Sequence, residues 1–504
     1  MGREGDQPAV TGGSGTVSTT TSEWSGTSGG GPVSRGPAGL GLGLCLTVVA
    51  VAFESIAVAT AMPVAARDLD GLSHYAWSFS AFGVGMLFST VAAGRACDRV
   101  GPAAPLRAGL LVFILGLLVA ATAEQMAQLV AGRLVQGLGS GVIGTAVVVC
   151  VARAYREDER PRMFTAISTA WVLPAFAGPP VAALVTESWG WPWVFVSVVP
   201  LVLLGGALVL PRVRGLTQER RNPDDPAGGA RPAPLWAAAL VALGTVALQV
   251  AGQRLDAFAL VLLVVGAAAL VLGLPSLMPG CFTRFGRGLP AVIITRGLLA
   301  GAFVGGEAFL PLMLVEEKGL ALVWAGAALT AGSVGWLAGS WLQARPWLRL
   351  RRDRIITLGC SAVVCGLASV ALNALTASLP GGYVALGWVV AGFGMGLATS
   401  STALAVMSLS RVAEQGRNAS SLNLSDALGS ALLVAGAGTV FAALSRGGNL
   451  PTAFGTLLLA VTAVSLLAVL ASLRIGALSP PGAAVSDETP PAFVRSTESS
   501  GGTA

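Results

Sequence analysis

Residues 126–152 read MAQLVAGRLVQGLGSGVIGTAVVVCVA. At 1.5 Å per residue a helix of this length crosses the ~30 Å hydrocarbon core of a bilayer. A barrel strand needs only ~9–11 residues, so the run is too long for one. Inside lipid its backbone N–H and C=O groups must be satisfied within the segment, and a helix does that. Only Arg133 is charged, and glycines recur at 137, 139, 141 and 144.

Comparable runs recur along the whole chain. Before this one lie 38–62, 77–96 and 103–123; after it come 161–186, 191–211, 235–252, 255–275, 288–314, 321–343, 354–376, 381–409, 418–444 and 451–474. Composition agrees, with 54% hydrophobic and 11% charged residues, where a soluble domain carries ~25% charged. The 67 glycines would let helices pack closely. The sequence therefore predicts an all-α membrane protein of fourteen transmembrane helices.

Charge tests the count independently, because short cytoplasmic loops collect Lys and Arg. With a cytoplasmic N-terminus, only Arg67, Arg254, Lys318 and Arg446 fall in outer loops, while Arg99, Arg107, Arg153, Arg156, Arg160, Arg220, Arg221, Arg351 and Arg352 are among the many inside. A miscounted helix would scatter this bias, so both termini are expected in the cytoplasm. The net charge of +6 then reflects topology, and no nucleic-acid partner is implied.

Residues 1–37 and 476–504 are Gly, Ser, Thr or Pro rich and read as disordered cytoplasmic tails. No cleavable signal is recognised at the start, so the first helix is expected to stay as an anchor. The segment 212–234 reads as a cytoplasmic linker. A gap-free shift of 255 positions lays Gly137, Gly139 and Gly141 on Gly392, Gly394 and Gly396, and Arg156, Glu159 and Arg162 on Arg411, Glu414 and Arg417. This repeat divides the chain into a six-helix bundle over 38–211, two inserted helices over 235–275 and a second bundle over 276–475. Parallel halves of this kind enclose a midplane site in transporters. The inserted pair, free of charge in its apolar stretches, is expected at the periphery.

Cys45, Cys97, Cys150, Cys281, Cys360 and Cys365 lie in helices or inner segments and read as packing residues. The spacing of Cys360 and Cys365 is no standard zinc pattern and no His lies near, so no metal is expected. The sole histidine, His74, falls in an outer loop.

Ionisable residues at membrane depth are functional candidates by default. Glu54, Arg133 and Glu307 fall at one level toward the outer surface, and Arg296 and Asp426 at another toward the inner one. Burial favours a protonated carboxyl and a nearby Arg an ionised one, so a cavity that opens alternately can load and unload a proton. Glu54 or Glu307 is the expected carrier, with Arg133 favouring release. A static ion pair tying helices together is the competing reading, and for Arg296 with Asp426 the simpler one. Arg133 has no counterpart in the repeat, where Trp388 occupies its place.

Four motifs then form a pattern. Gly94, Asp98, Arg99 and Gly101 lie between helices 2 and 3; Arg133, Gln136, Gly137 and Gly139 in helix 4; Pro174, Gly178 and Pro179 in helix 5; and Phe53, Glu54, Ser55 with Ala61, Met62, Pro63 at the end of helix 1. In this order the chain from about 38 to 475 resembles the major facilitator superfamily, and within it the fourteen-helix drug:proton antiporter branch. The resemblance implies a cytoplasmic gate motif at 94–101, an arginine motif for proton coupling at Arg133, and an antiporter motif at 174–179. Pro102 and Ala103 stand where the gate motif usually carries basic residues, Pro174 replaces a Gly, and Ala182 with Ala183 replaces a trailing Gly pair.

The function expected is export of small hydrophobic or amphipathic compounds in exchange for protons, by a monomer in the cell membrane. The proton gradient is the energy source and no cofactor is expected. Uptake of a metabolite on the same fold is the alternative. A membrane enzyme or sensor is disfavoured by a single His and by the lack of a phosphate-cradling loop.

Overall fold

The computed structural model describes residues 38–478, apart from 157–158, 215–233, 255, 279–281, 283–284, 346, 349, 377, 411–413 and 446–448. The expectations for residues 1–37 and 479–504, most of the 212–234 linker, Cys281, Arg411 and Arg446 fall outside the described residues.

Helices α1 (Ala38–Asp68), α2 (Trp77–Val100), α3 (Ala103–Ala121), α4 (Met126–Ala154), α5 (Arg160–Ala170), α6 (Val172–Trp189) and α7 (Pro192–Val213) form the first group. Then come α8 (Leu235–Gly252) and α9 (Ala257–Leu277), followed by α10 (Leu289–Glu316), α11 (Leu322–Gln343), α12 (Arg352–Leu375), α13 (Gly382–Leu409), α14 (Gln415–Ser445) and α15 (Leu450–Ser472). Among the described residues there is no strand, and 14 spans are long and apolar enough to cross a membrane. This is a multi-pass membrane protein. An even number of crossings returns the chain to its starting side, here termed the tail side; the opposite one is the far side.

Helices α5 and α6 share the fifth crossing. The break at Trp171 has a cause in the sequence, since Pro174 offers no N–H to the Ala170 carbonyl and crowds it. Helix α1 runs past the expected 62 to Asp68, with Pro63 inside it, and so carries Arg67 into the helix.

Glycines decide how α4 packs. A Cβ on Gly137 or Gly141 would strike α2, at the Phe82 carbonyl and the Ser89 hydroxyl; on Gly132 or Gly139 it would strike α3, at Ala120 and Phe113. In α13 the repeat does the same, with Gly392 and Gly396 against Gly332 and Trp336 of α11 and Gly394 against Gly359 of α12. At the position matching Arg133, Trp388 stacks on Phe303 of α10 with ring centroids 4.6 Å apart. A charged contact in the first group is thus an aromatic one in the second.

Helix α8 departs from the expected periphery. Its hydrophobic face includes Gln249, 1% exposed, which accepts a 2.7 Å hydrogen bond from Ser80 of α2. Gly252 meanwhile lies against Thr439 of α14, so α8 spans the line between the two groups. A buried amide needs its partner, and this fixes α8 on α2. Helix α9 does sit outside, with only 11% of its apolar window buried. Its first turn is capped by Asp256, which accepts from the Ala259 N–H at 3.0 Å, and the hydrogen bond from Arg254 holds the Asp256 carboxyl below the usual range.

Candidate coupling site in the membrane core

The close approach of α4 to α2 and α1 places Arg133 in a shell of acceptors. Nη1 donates to the Glu54 carboxylate of α1 and to Gln136 Oε1 at 2.6 Å, while Nε donates to the Ser78 carbonyl at 2.9 Å. The Phe82 ring completes the shell, its centroid 4.5 Å from the guanidinium carbon. Arg133 is 2% exposed and Glu54 0%. Spacing of i and i+3 puts Arg133 and Gln136 on one helix face, and Gly137 beside them lets the α2 backbone come within reach.

Glu307 of α10 is partly buried and has no hydrogen bond or ion pair among the described residues. The level shared with Glu54 and Arg133 does not bring it into contact with them. Arg296 and Asp426 do meet, in a two-pronged pair of 2.8 and 2.6 Å, and Arg296 also donates to the Thr399 carbonyl at 3.0 Å. These bonds tie α10, α14 and α13 together.

At the tail-side end of α2, Gly94 has open space beside it, and Asp98 and Arg99 are exposed. Gly101 terminates the helix at φ 77°, its N–H donating to the Cys97 carbonyl at 3.0 Å. In α6, Pro174, Gly178 and Pro179 are buried, and Gly178 faces Ile56 of α1. Pro180 cannot donate to the Phe176 carbonyl, and the Thr330 hydroxyl of α11 bonds that carbonyl at 3.3 Å. A proline in one group thereby creates an acceptor for the other.

Sequence reasoning missed the far-side closure. Arg67 of α1 pairs with Glu316 of α10, and the buried Tyr75 hydroxyl donates to the Ala308 carbonyl at 2.8 Å. Gly326 of α11 packs on the Pro179 carbonyl, where a Cβ would approach to 2.9 Å. Next to this latch Lys318 pairs with Glu317 at 3.2 Å; burial pushes the Glu317 carboxyl above its ordinary value and Lys318 opposes that. Hydropathy alone puts Arg67 in a loop with no partner; its acid lies 249 residues away.

Breaking the latch is expected to shift the conformational balance. Spin labels on the exposed far-side residues Ser73 and Ser378 report the separation of the two groups. Arg67→Gln should raise the long-distance population severalfold, as loss of ~1 kcal/mol from a partly exposed pair would. An unchanged distance distribution contradicts a latching role.

Comparison with known proteins agrees with this architecture. The chain is 28% identical over 432 residues to a protein of Mycobacterium tuberculosis named a probable multidrug-efflux transporter, covering 82% of this chain and 89% of that one. It is 22% identical over 314 residues to the multidrug efflux pump SdrM of Staphylococcus aureus, covering 61% and 69%. A crystal structure of the peptide transporter POT in complex with sulfate shares the fold, with a TM-score of 0.63 at 17% identity over 87% of this chain and 95% of that one. The family model described as Major Facilitator Superfamily matches residues 44–434. With fourteen spans and that match over most of its length, the chain belongs to the Major Facilitator Superfamily of membrane transporters.

Proposed function

We propose that this transporter exports small hydrophobic or amphipathic organic compounds in exchange for protons. The tail side is the cytoplasm and the membrane is the cell membrane, as the arginine-rich tail-side segments favour. The bundles 38–211 and 276–475 rock as halves about a midplane cavity, residues 235–275 are inserted between them, and 212–234 links them. The protein works as a monomer. Relatives named for multidrug efflux support the direction of transport.

One observation carries the reading: the wholly buried Glu54 and Arg133 pair in the membrane core. A buried ion pair is poor stabilisation compared with apolar packing. A carboxylate that alternately pairs with Arg133 and takes a proton gives the pair a use. Glu307, unpaired on the opposite group, is the second acid available for a proton. The Arg296 and Asp426 pair serves as a tie within the second half. Asp98 and Arg99, exposed on the tail side here, act as the cytoplasmic gate when that side closes.

The test uses an efflux-deficient cell and a panel of compounds that includes the fluorescent dye ethidium. The chain should lower accumulation of some members, a protonophore should restore it, and Glu54→Gln and Arg133→Ala should abolish the effect. Export that ignores both the protonophore and Glu54→Gln contradicts proton coupling. Protein-dependent accumulation in place of depletion would identify an importer.

A further inference from the structure

The shell around Arg133 leaves three polar atoms without partners. Glu54 Oε1, Gln136 Oε1 and the Ser78 carbonyl each accept from the guanidinium, yet Glu54 Oε2, Gln136 Nε2 and Ser78 Oγ have no partner among the described residues. All three side chains are 0% exposed. Because arginine only donates, the Gln136 amide must turn its oxygen to Arg133, which fixes the orphan as the NH2 group. The orphans are therefore one acceptor, one donor and one hydroxyl that is both.

Such a set is the complement of a water molecule, which makes ~3 hydrogen bonds when buried among polar groups. Left unmade, each of these bonds is a desolvation penalty that a bridging water removes. Two of the three orphans belong to groups whose other atom binds the same nitrogen, Arg133 Nη1, which brings those two side chains together. Ser78 lies in the first turn of α2, four residues past the exposed far-side turn Leu72–His74 and behind the buried Tyr75 and Ala76. Of the elements around Glu54, α4 supplies the charged Arg133 and α2 the neutral Ser78 and Phe82, and Glu307 of α10 makes no bond to the pair.

Building on the proton-coupled reading above, we infer that a water molecule bridged by Glu54, Ser78 and Gln136 is the proton's entry to Glu54, and that the Ser78 hydroxyl relays it from the far side. An incoming proton binds the Ser78 oxygen as that hydroxyl gives its own hydrogen to the water. The water in turn gives one of its hydrogens to Glu54 Oε2. Two O–H bonds break and three form, the third being with the incoming proton. The net change is one proton on the carboxylate, with hydroxyl and water regenerated. Gln136 Nε2 positions the water and Arg133 keeps Glu54 Oε1 engaged.

The test follows protonation directly and needs no transported compound. Full-length protein in lipid nanodiscs is dropped rapidly from about pH 8 to 5, and the protonated carboxyl band of Glu54, identified by its loss in Glu54→Gln, is followed by time-resolved infrared absorption. Ser78→Ala keeps the backbone carbonyl that holds Arg133, so the band should reach its usual amplitude about tenfold more slowly, and Ser78→Thr should restore the rate. An unchanged rate in Ser78→Ala overturns the relay. So does a changed amplitude or midpoint pH at unchanged rate, which marks a structural role. A Glu54 band absent from the wild-type protein throughout refutes Glu54 as carrier, and with it both this inference and the proton-coupled reading. A slowed band in a protein whose export ignores protonophore leaves the relay standing and refutes only the coupling.

Discussion

Arg133→Ala should be the most damaging single change in the membrane core. It removes the only partner of the Glu54 carboxylate among the described residues and leaves Gln136 Oε1 and the Ser78 carbonyl without their guanidinium donors. Breaking a buried pair from one side costs ~3–5 kcal/mol, because the remaining charge stays behind in low dielectric. Glu54→Gln also leaves one buried charge, that of Arg133, but its amide oxygen can still accept from the guanidinium, so it should be milder for folding. For proton-driven export the order disappears: both variants should lose about 100-fold or more, within the range for removing a proton-transfer group. Thermal unfolding in detergent together with export rate separates the two effects. Equal destabilisation by both variants, or export retained in Glu54→Gln, contradicts this account.

Gly137→Leu should cost nearly as much for a different reason. A Cβ at 137 meets the Phe82 carbonyl of α2, a backbone atom that cannot swing aside as a side chain would. Overpacking ordinarily costs ~1–3 kcal/mol, and a rigid backbone obstacle puts this site at the upper end. Parting α2 from α4 also withdraws the Ser78 carbonyl from Arg133, so export should fall together with the unfolding temperature. Gly144 is the control, being on the same helix with nothing within 4 Å of where a Cβ would sit. Gly144→Ala should be neutral or stabilising by up to ~1 kcal/mol through helix propensity. Equal tolerance at both positions would show that the glycine contact does not hold α4 in place.

The fold was legible because each crossing must carry its own hydrogen bonds, so length and apolarity alone reveal it. Even the break of the fifth crossing is written at Pro174. Long-range pairing is less visible. Glu54 and Arg133 could be assigned one depth, and the glycines of α4 hinted at a close neighbour, yet the same reasoning put Glu307 at that depth and the structure leaves it unpaired. Depth follows from counting along one helix, whereas contact depends on which face each helix turns inward. Arg67 and Tyr75 left no signal, since one partner is an acid on a distant helix end and the other a main-chain carbonyl. Helix α8 was misplaced because a lone Gln249 in an apolar run gives no hint that Ser80 awaits it.

The central claim is that proton movement through Glu54 drives cargo outward, and purified protein in sealed vesicles tests it most directly. A compound found active in cells is loaded with a pH-sensitive dye, and an imposed pH gradient is the only energy source. The account predicts compound flux with opposing proton flux, both collapsing with protonophore and both missing in Glu54→Gln. Compound flux of equal rate with and without the gradient, or undiminished proton movement in Glu54→Gln, would contradict it.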